Sequence, residues 1–309
     1  MSNCKHIIII PFAFLSDYSG GVNFKNTDKG LTMYLKNCCV SCISAKVNAG
    51  KETDVALVTN IDIPNPYINV LQGYGVKIIK CKFDNFTFGK KVAWSLAFYK
   101  INAMWHISQE TNYNDYCYMD SDVYVQSNFE YIWEECKKNI LLYDICHGLQ
   151  DGHYMTLLRE AEAFKGKDAI GLTHYGGEFF AANRENTLSF MKECQNVYNE
   201  MMRKNITTSK GDEFIISMVA SRMSLKIRNA GAYVYRYWTR RWHLMSTNYK
   251  FNPVVVLHVP QEKEHGMLAI YNKYLSKGIV PSQKKVWKIL HLSKPSFSIR
   301  CALLWDKIK

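Results

Sequence analysis

Apolar residues follow two rhythms along this chain, and their alternation predicts its architecture. Short continuous runs suit strands buried on both faces of a parallel sheet. Longer stretches place their apolar residues at helical spacing. Ile7-Ile8-Ile9-Ile10 marks a first strand over Lys5–Phe12, and Leu31, Tyr34, Leu35 and Cys38 mark a helix over Gly30–Asn48. Val55, Leu57 and Val58 give a second strand over Asp54–Asn60. Ile63–Tyr67, with two prolines, is a loop ahead of a short helix, and Val76–Phe83 is a third strand. A long amphipathic helix over Lys90–Ser108 carries Trp94, Leu96, Phe98, Ile101, Met104 and Ile107. Strand and helix in turn predict an α/β fold, a mixed but mainly parallel sheet flanked by helices.

The second half is less regular. Leu141–His147 reads as a strand and Asp151–Lys167 as a helix or lid flanking a cleft. Thr173–Asn183 reads as a strand interrupted by Gly176-Gly177, where two glycines point to close backbone approach or a bend. Arg184–Asn205 is a helix, Gly211–Ala220 opens an apolar helix with Asp212 as a reasonable N-cap, and Val254–Val259 is a last strand.

The most informative stretch is Tyr113–Val125. Tyr116, Tyr118, Val123 and Val125 have strand character, and Asp120 and Asp122 stand two apart. Positions two apart on a strand face the same way, so a strand ending near Met119 brings both carboxylates out on one side. Close carboxylates repel unless they share a cation or a proton. A magnesium or manganese ion that also holds a diphosphate resolves this, because such ions take oxygen ligands from one or two carboxylates plus substrate phosphates. Asp-Ser-Asp also makes a plain turn, so that reading stays open.

Composition narrows the classes. The 309 residues, 48% hydrophobic, suit one large domain with a sizeable core, and no repeat or low-complexity linker divides them. Pro11 breaks the first apolar run and no small-residue cleavage site follows, so no secretory signal is expected. The ten cysteines are scattered, which suggests free thiols in a reducing compartment. Cys39-Val-Ser-Cys42 has no matching half-site and reads as buried thiols. Half of the formal +12 charge lies in the last 26 residues, where seven basic residues meet only Asp306. Trp287, Leu290, Leu303 and Trp305 interleave with them, the pattern of a basic amphipathic helical extension on an anionic membrane surface. A terminal helix docked on the core is the other reading. No nucleic-acid motif accompanies the charge.

Taken together, Asp120-Ser121-Asp122, Tyr99-Lys100 before it, Tyr175-Gly176-Gly177, Gly211-Asp212-Glu213 and the late His258 resemble the GT-A nucleotide-sugar glycosyltransferases, particularly the retaining, metal-dependent kind. The resemblance covers roughly residues 5–265. It implies that Asp120, Asp122 and His258 hold Mn²⁺ or Mg²⁺. It implies donor contacts from Pro11, Phe12, Tyr18, Lys100, Asp120, Ser121 and Lys263, the donor being a nucleotide sugar, UDP-linked by expectation. After His258 this chain has Gln261-Glu262-Lys263-Glu264-His265-Gly266 where the family has Gly-x-x-Lys-Pro-Trp. The resemblance gives Asp212 and Glu213 the catalytic role, as nucleophile, oxocarbenium stabiliser or base. Gly176, Gly177, Glu178 and Trp238 are expected at the sugar and acceptor. The Tyr233–His243 stretch is an acceptor or lipid-diphosphate site, or else a packed aromatic cluster.

The expected organisation is a catalytic domain over 1–270, with a donor half to about 125 and an acceptor half beyond it, then an extension over 271–309. The expected activity is transfer of a sugar to a glycan or lipid-linked acceptor at the cytosolic face of a membrane, in polysaccharide, lipopolysaccharide or glycoconjugate synthesis. The rivals are a nucleotidyltransferase acting on sugar phosphates and a non-catalytic carbohydrate-binding protein. Pro11-Phe12-Ala13-Phe14 is not the Gly-rich phosphate loop that the first rival needs, although Ser19-Gly20-Gly21 comes close.

Overall fold

The structure is a computed structural model describing residues 4–15, 28–90, 92–146, 148–166, 171–240, 254–293, 297, 301 and 304–305. The chain runs β1 (His6–Phe12), α1 (Asp28–Asn48), β2 (Thr53–Thr59), α2 (Tyr67–Gly73), β3 (Lys77–Lys80), α3 (Tyr99–Glu110), β4 (Asp115–Met119) and β5 (Val123–Val125). It continues through α4 (Glu130–Cys136), β6 (Ile140–Asp144), α5 (Gly152–Lys165), β7 (Tyr175–Asn183), α6 (Arg184–Arg203) and α7 (Asp212–Arg222). Last come β8 (Ile227–Asn229), β9 (Val234–Arg236), β10 (Val256–His258), α8 (Gly266–Lys273) and α9 (Gln283–Ile289).

Seven strands form the main sheet in the order β3-β2-β1-β4-β7-β6-β8. Only β7 runs antiparallel to its neighbours, so the sheet is mainly parallel, as the two rhythms predict. Period-two alternation feeds both faces: Ile8 and Ile10 enter the core under α1, while Ile7 and Ile9 enter the core under α3, α6 and α7. A second sheet, β5-β10-β9, stands beside the first. All ten cysteines are free, and Cys38, Cys39 and Cys42 are buried along α1.

Three local expectations are corrected. The helix expected from Lys90 begins only at Tyr99. Ser95–Phe98 is a 3₁₀ turn entered through Trp94 in the left-handed region at φ 58°, and a Cβ on Gly211 would meet the Trp94 Cβ at 2.9 Å. Packing of this turn against Gly211 overrides helical spacing. Gly176-Gly177 does not interrupt its strand, since β7 is continuous. Its irregularity is a register shift against β6 between Leu142 and Asp144. Asp212 is not the cap of α7; Gly211, at φ 61°, takes that place, and the buried Asp212 side chain turns towards Lys100 instead.

The expected division at residue 270 falls inside α8. Tyr271, Leu275, Val286, Leu290 and Leu292 belong to the same core cluster as α1, and Trp287 Nε1 donates to Gln126 Oε1 at 2.7 Å. Further on, Phe297, Leu304 and Trp305 are exposed. No helix among the described residues is long and apolar enough to cross a membrane.

Candidate active site

The acidic pair sits where the chain leaves one sheet for the other. β4 ends at Met119, the chain turns through Asp120, Ser121 and Asp122, and β5 begins at Val123. Three elements fix that turn. Asp120 N donates to Glu178 O at 3.1 Å, Val259 N donates to Asp122 O at 3.0 Å, and Ser41 Oγ of α1 lies 2.7 Å from Ser121 O. Antiparallel pairing places His258 opposite Val123. The turn and the carboxylate cluster are thus one object.

Asp120, Asp122 and His258 bring one ligand atom each within 4.8 Å of the others. His258 Nε2 lies 3.3 Å from Asp122 Oδ2 and 4.0 Å from Asp120 Oδ2. Lys263 Nζ stands 2.9 Å from Asp122 Oδ2. That contact is ionic only: Asp122 Oδ2 is buried with no aligned hydrogen-bond donor. Two carboxylates and an imidazole converging on one point, with this oxygen held only by ionic contacts, fit a divalent cation. Burial by itself would raise the Asp122 pKa, but Lys263 and His258 hold it well below the ordinary carboxylate range. Burial would lower His258, yet Asp122 and Glu178 bring it to about 9. In the metal-free chain this imidazole is therefore protonated at neutral pH, and ligation must release that proton.

Glycines at 176 and 177 make room for the neighbouring polar groups. A Cβ on Gly176 would meet Glu178 Oε2 at 1.8 Å, and one on Gly177 would meet Asp212 Oδ2 at 2.1 Å and Lys100 Nζ at 2.8 Å. Close approach, rather than a bend, is what this pair provides. Glu178 is buried, with both oxygens on the Arg236 fork at 2.8 Å and Oε1 3.2 Å from His258 Nδ1. It orients the imidazole in the manner of a supporting carboxylate.

The two acids at the start of α7 have different surroundings. Asp212 Oδ2 is 3.0 Å from Lys100 Nζ, which also reaches Asp120 Oδ1 at 2.9 Å. Burial raises Asp212 to about 7, with Lys100 opposing and Asp120 and Glu213 adding to the rise. Glu213 faces the other way, with Oε2 3.0 Å from His174 Nε2 and 3.7 Å from His153 Nε2.

One cavity of about 570 Å³ gathers most of these groups. It is lined by Pro11, Phe12, Lys100, Asp120, Ser121, Asp122, Gly177, Glu178, Asp212, Glu213, Trp238, His258 and Lys263, all singled out in the sequence. Gly176 lies just behind the lining, against Glu178 and Arg236. Tyr18 lies outside the described residues. The structure adds Tyr34, Trp94, His153, Lys210 and Arg236 to the walls. Arg236 lay in the aromatic stretch already noted. His153 and Lys210 carried no local signal, because their neighbours in space are distant in sequence.

No protein-family model matches the sequence, and no curated protein matches it. Among solved structures, the apo form of mouse xyloside xylosyltransferase 1 superposes at TM-score 0.50 and 9% identity, over 84% of this chain and 98% of that one. The apo glycosyltransferase GlyE of Streptococcus pneumoniae gives 0.49 and 14%, over 99% of this chain and 64% of that one. At such identity the first likeness speaks for fold, and the fold is a GT-A-like glycosyltransferase fold.

Proposed function

We propose that this chain transfers a sugar from a nucleotide-sugar donor, UDP-linked, to a glycan or lipid-linked acceptor, with retention at the anomeric carbon. One observation carries the reading. Asp120, Asp122 and His258 converge in the cavity at the carboxyl ends of β1 and β4, with Lys263 and Lys100 beside them. Ligands of open α/β sheets bind at that end.

Breaking the glycosyl–phosphate bond builds charge on the departing diphosphate and gives the sugar oxocarbenium character. Asp120, Asp122 and His258 would hold a divalent ion, which would supply Lewis-acid stabilisation of that diphosphate worth several kcal/mol. Lys263 and Lys100 add positive charge on the same side. Opposing carboxylates raise the pKa of both lysines, so both stay protonated. Asp212 is the acid placed for the sugar. It stands one lysine away from Asp120, and Gly177 leaves its carboxylate open to the cavity. Near neutral pH it is divided between acid and carboxylate. The carboxylate form stabilises positive charge at the anomeric carbon or attacks it. Glu213, held by His174, is a step further from the acidic pair.

A peripheral membrane location belongs to the same reading. The exposed Phe297, Leu304 and Trp305 in the basic tail support it, whereas Trp287 is turned inward against Gln126. The test is UDP release with and without Mn²⁺ from a panel of UDP-sugars, for the wild type and Asp122→Ala. Manganese-dependent release that the substitution abolishes is expected. Equal rates, or none with any UDP-sugar, would favour a carbohydrate-binding protein.

A further inference from the structure

Four lysine and arginine side chains line the cavity, and three have a carboxylate within 3.0 Å. Lys100 is on Asp120, Lys263 on Asp122 and Arg236 on Glu178. Lys210 is the exception. It is 9% exposed, and no described carboxylate comes within 4 Å of its Nζ. Among the described residues its side chain hydrogen-bonds to His153 Nδ1, itself a base. Glu213, Glu160 and Asp151 are the acids that face it from farther off. Glu160 is already engaged, accepting from Ser209 N at 3.0 Å and from Thr208 Oγ1. Those bonds, and Lys210 N donating to Thr208 Oγ1 at 2.9 Å, hold the turn that aims Lys210.

A buried ammonium without a counter-ion is costly, so such a group marks a place where a ligand brings the missing charge. His153, half exposed at its side chain, stands at the same wall; burial and Lys210 hold its pKa below the ordinary value, so with Nδ1 accepting from Lys210 the neutral ring offers Nε2–H as a second donor. A second metal centre is the competing use, since His153, His174 and Glu213 bring three ligand atoms within 4.8 Å. Lys210 argues against it. A metal-bound imidazole donates its other nitrogen to an acceptor, and here that nitrogen faces an ammonium.

We infer that Lys210 and His153 bind an anionic group of the acceptor, a carboxylate or a phosphate, so that the acceptor is an acidic or phosphorylated sugar. This rests on the transferase reading, which is what gives the cavity an acceptor side.

The test is isothermal titration of the full chain, loaded with UDP and Mn²⁺, using methyl β-glucuronide, glucose 6-phosphate, methyl β-glucoside and inorganic phosphate. One anionic sugar should bind roughly tenfold or more tighter than the neutral glucoside, as expected for a charge-assisted hydrogen bond. Which one it is assigns carboxylate or phosphate. Lys210→Met should abolish the preference and Lys210→Arg should keep it, with UDP affinity confirming that each variant is folded. Equal binding of the glucoside, a preference that survives Lys210→Met, or inorganic phosphate binding as tightly as the sugar phosphate would each overturn the inference. Failure of UDP and Mn²⁺ to bind at all sinks the transferase reading instead, and the unloaded chain still reports the anion preference.

Discussion

Two polar clusters meet at one cavity, the second with His174 buried behind its wall. Asp120, Asp122 and His258 form one, and His153, His174 and Glu213 form the other, each with three ligand atoms within 4.8 Å. Their outlines are alike and their charge balance is not. Around the first, two acids converge on one imidazole, each also met by a lysine, Lys100 on Asp120 and Lys263 on Asp122. Around the second, the one acid already holds His174, and the outer nitrogen of His153 faces an ammonium. Spacing of ligand atoms therefore does not identify a metal site. The number of acids among those atoms, and what the outer imidazole nitrogen faces, distinguish the two.

The strongest test of this contrast is Asp122→Ala. It should lower Mn²⁺-dependent UDP release by roughly 10²–10³-fold, because metal stabilisation is worth several kcal/mol. His174→Ala in the second cluster should leave Mn²⁺ affinity unchanged, as titration calorimetry would report. A drop in metal affinity for both variants would erase the distinction.

Asp212→Asn should lower transfer by roughly 10²-fold while UDP and Mn²⁺ binding persists. It has a second signature. The folded Asp212 carboxyl titrates at about 7 because of burial, whereas an unfolded one titrates near ~4. Between those values the folded chain keeps a proton that the unfolded chain has released, so this group's contribution to stability falls as pH rises. The metal-free Asn variant should thus gain on the wild type between about pH 4 and 7, read by denaturant midpoints. A constant difference across that window would mean that Asp212 ionises normally.

Gly177→Ala should cost roughly tenfold in transfer. The added Cβ lands 2.1 Å from Asp212 Oδ2 and 2.8 Å from Lys100 Nζ, prising apart the pair that joins Asp212 to the acidic cluster. A wild-type rate would show that this pair is not needed in its present place. The smallest effect belongs far from both clusters. Trp287→Phe loses the hydrogen bond to Gln126 and should cost about 1 kcal/mol of stability by urea denaturation, with transfer unaffected. A change in transfer instead would tie α9 to the site.

Much of the fold and the first cluster was legible because the signals are local. The Ile7–Ile10 run makes β1, and the Asp120–Asp122 spacing puts two carboxylates at the tip of β4, in a turn that Ser41, Glu178 and Val259 then hold. Boundaries that depend on distant partners were not legible. Lys90–Ser108 has helical spacing, yet the helix starts at Tyr99 because the preceding turn packs on Gly211. Asp212 resembles a cap in sequence and is drawn instead to Lys100, a neighbour only in space.

By itself the sequence determined the periodicities, and with them an α/β sheet and the acidic strand tip. Only the tertiary structure decided which cation neutralises which acid. It separated Asp212 from Glu213, bound Glu178 to Arg236, and left Lys210 with no described carboxylate within 4 Å. Hydrophobic rhythm is written within a few residues of each position. Electrostatic pairing depends on distances between residues about 20 to 140 apart in the chain, and folding alone sets those.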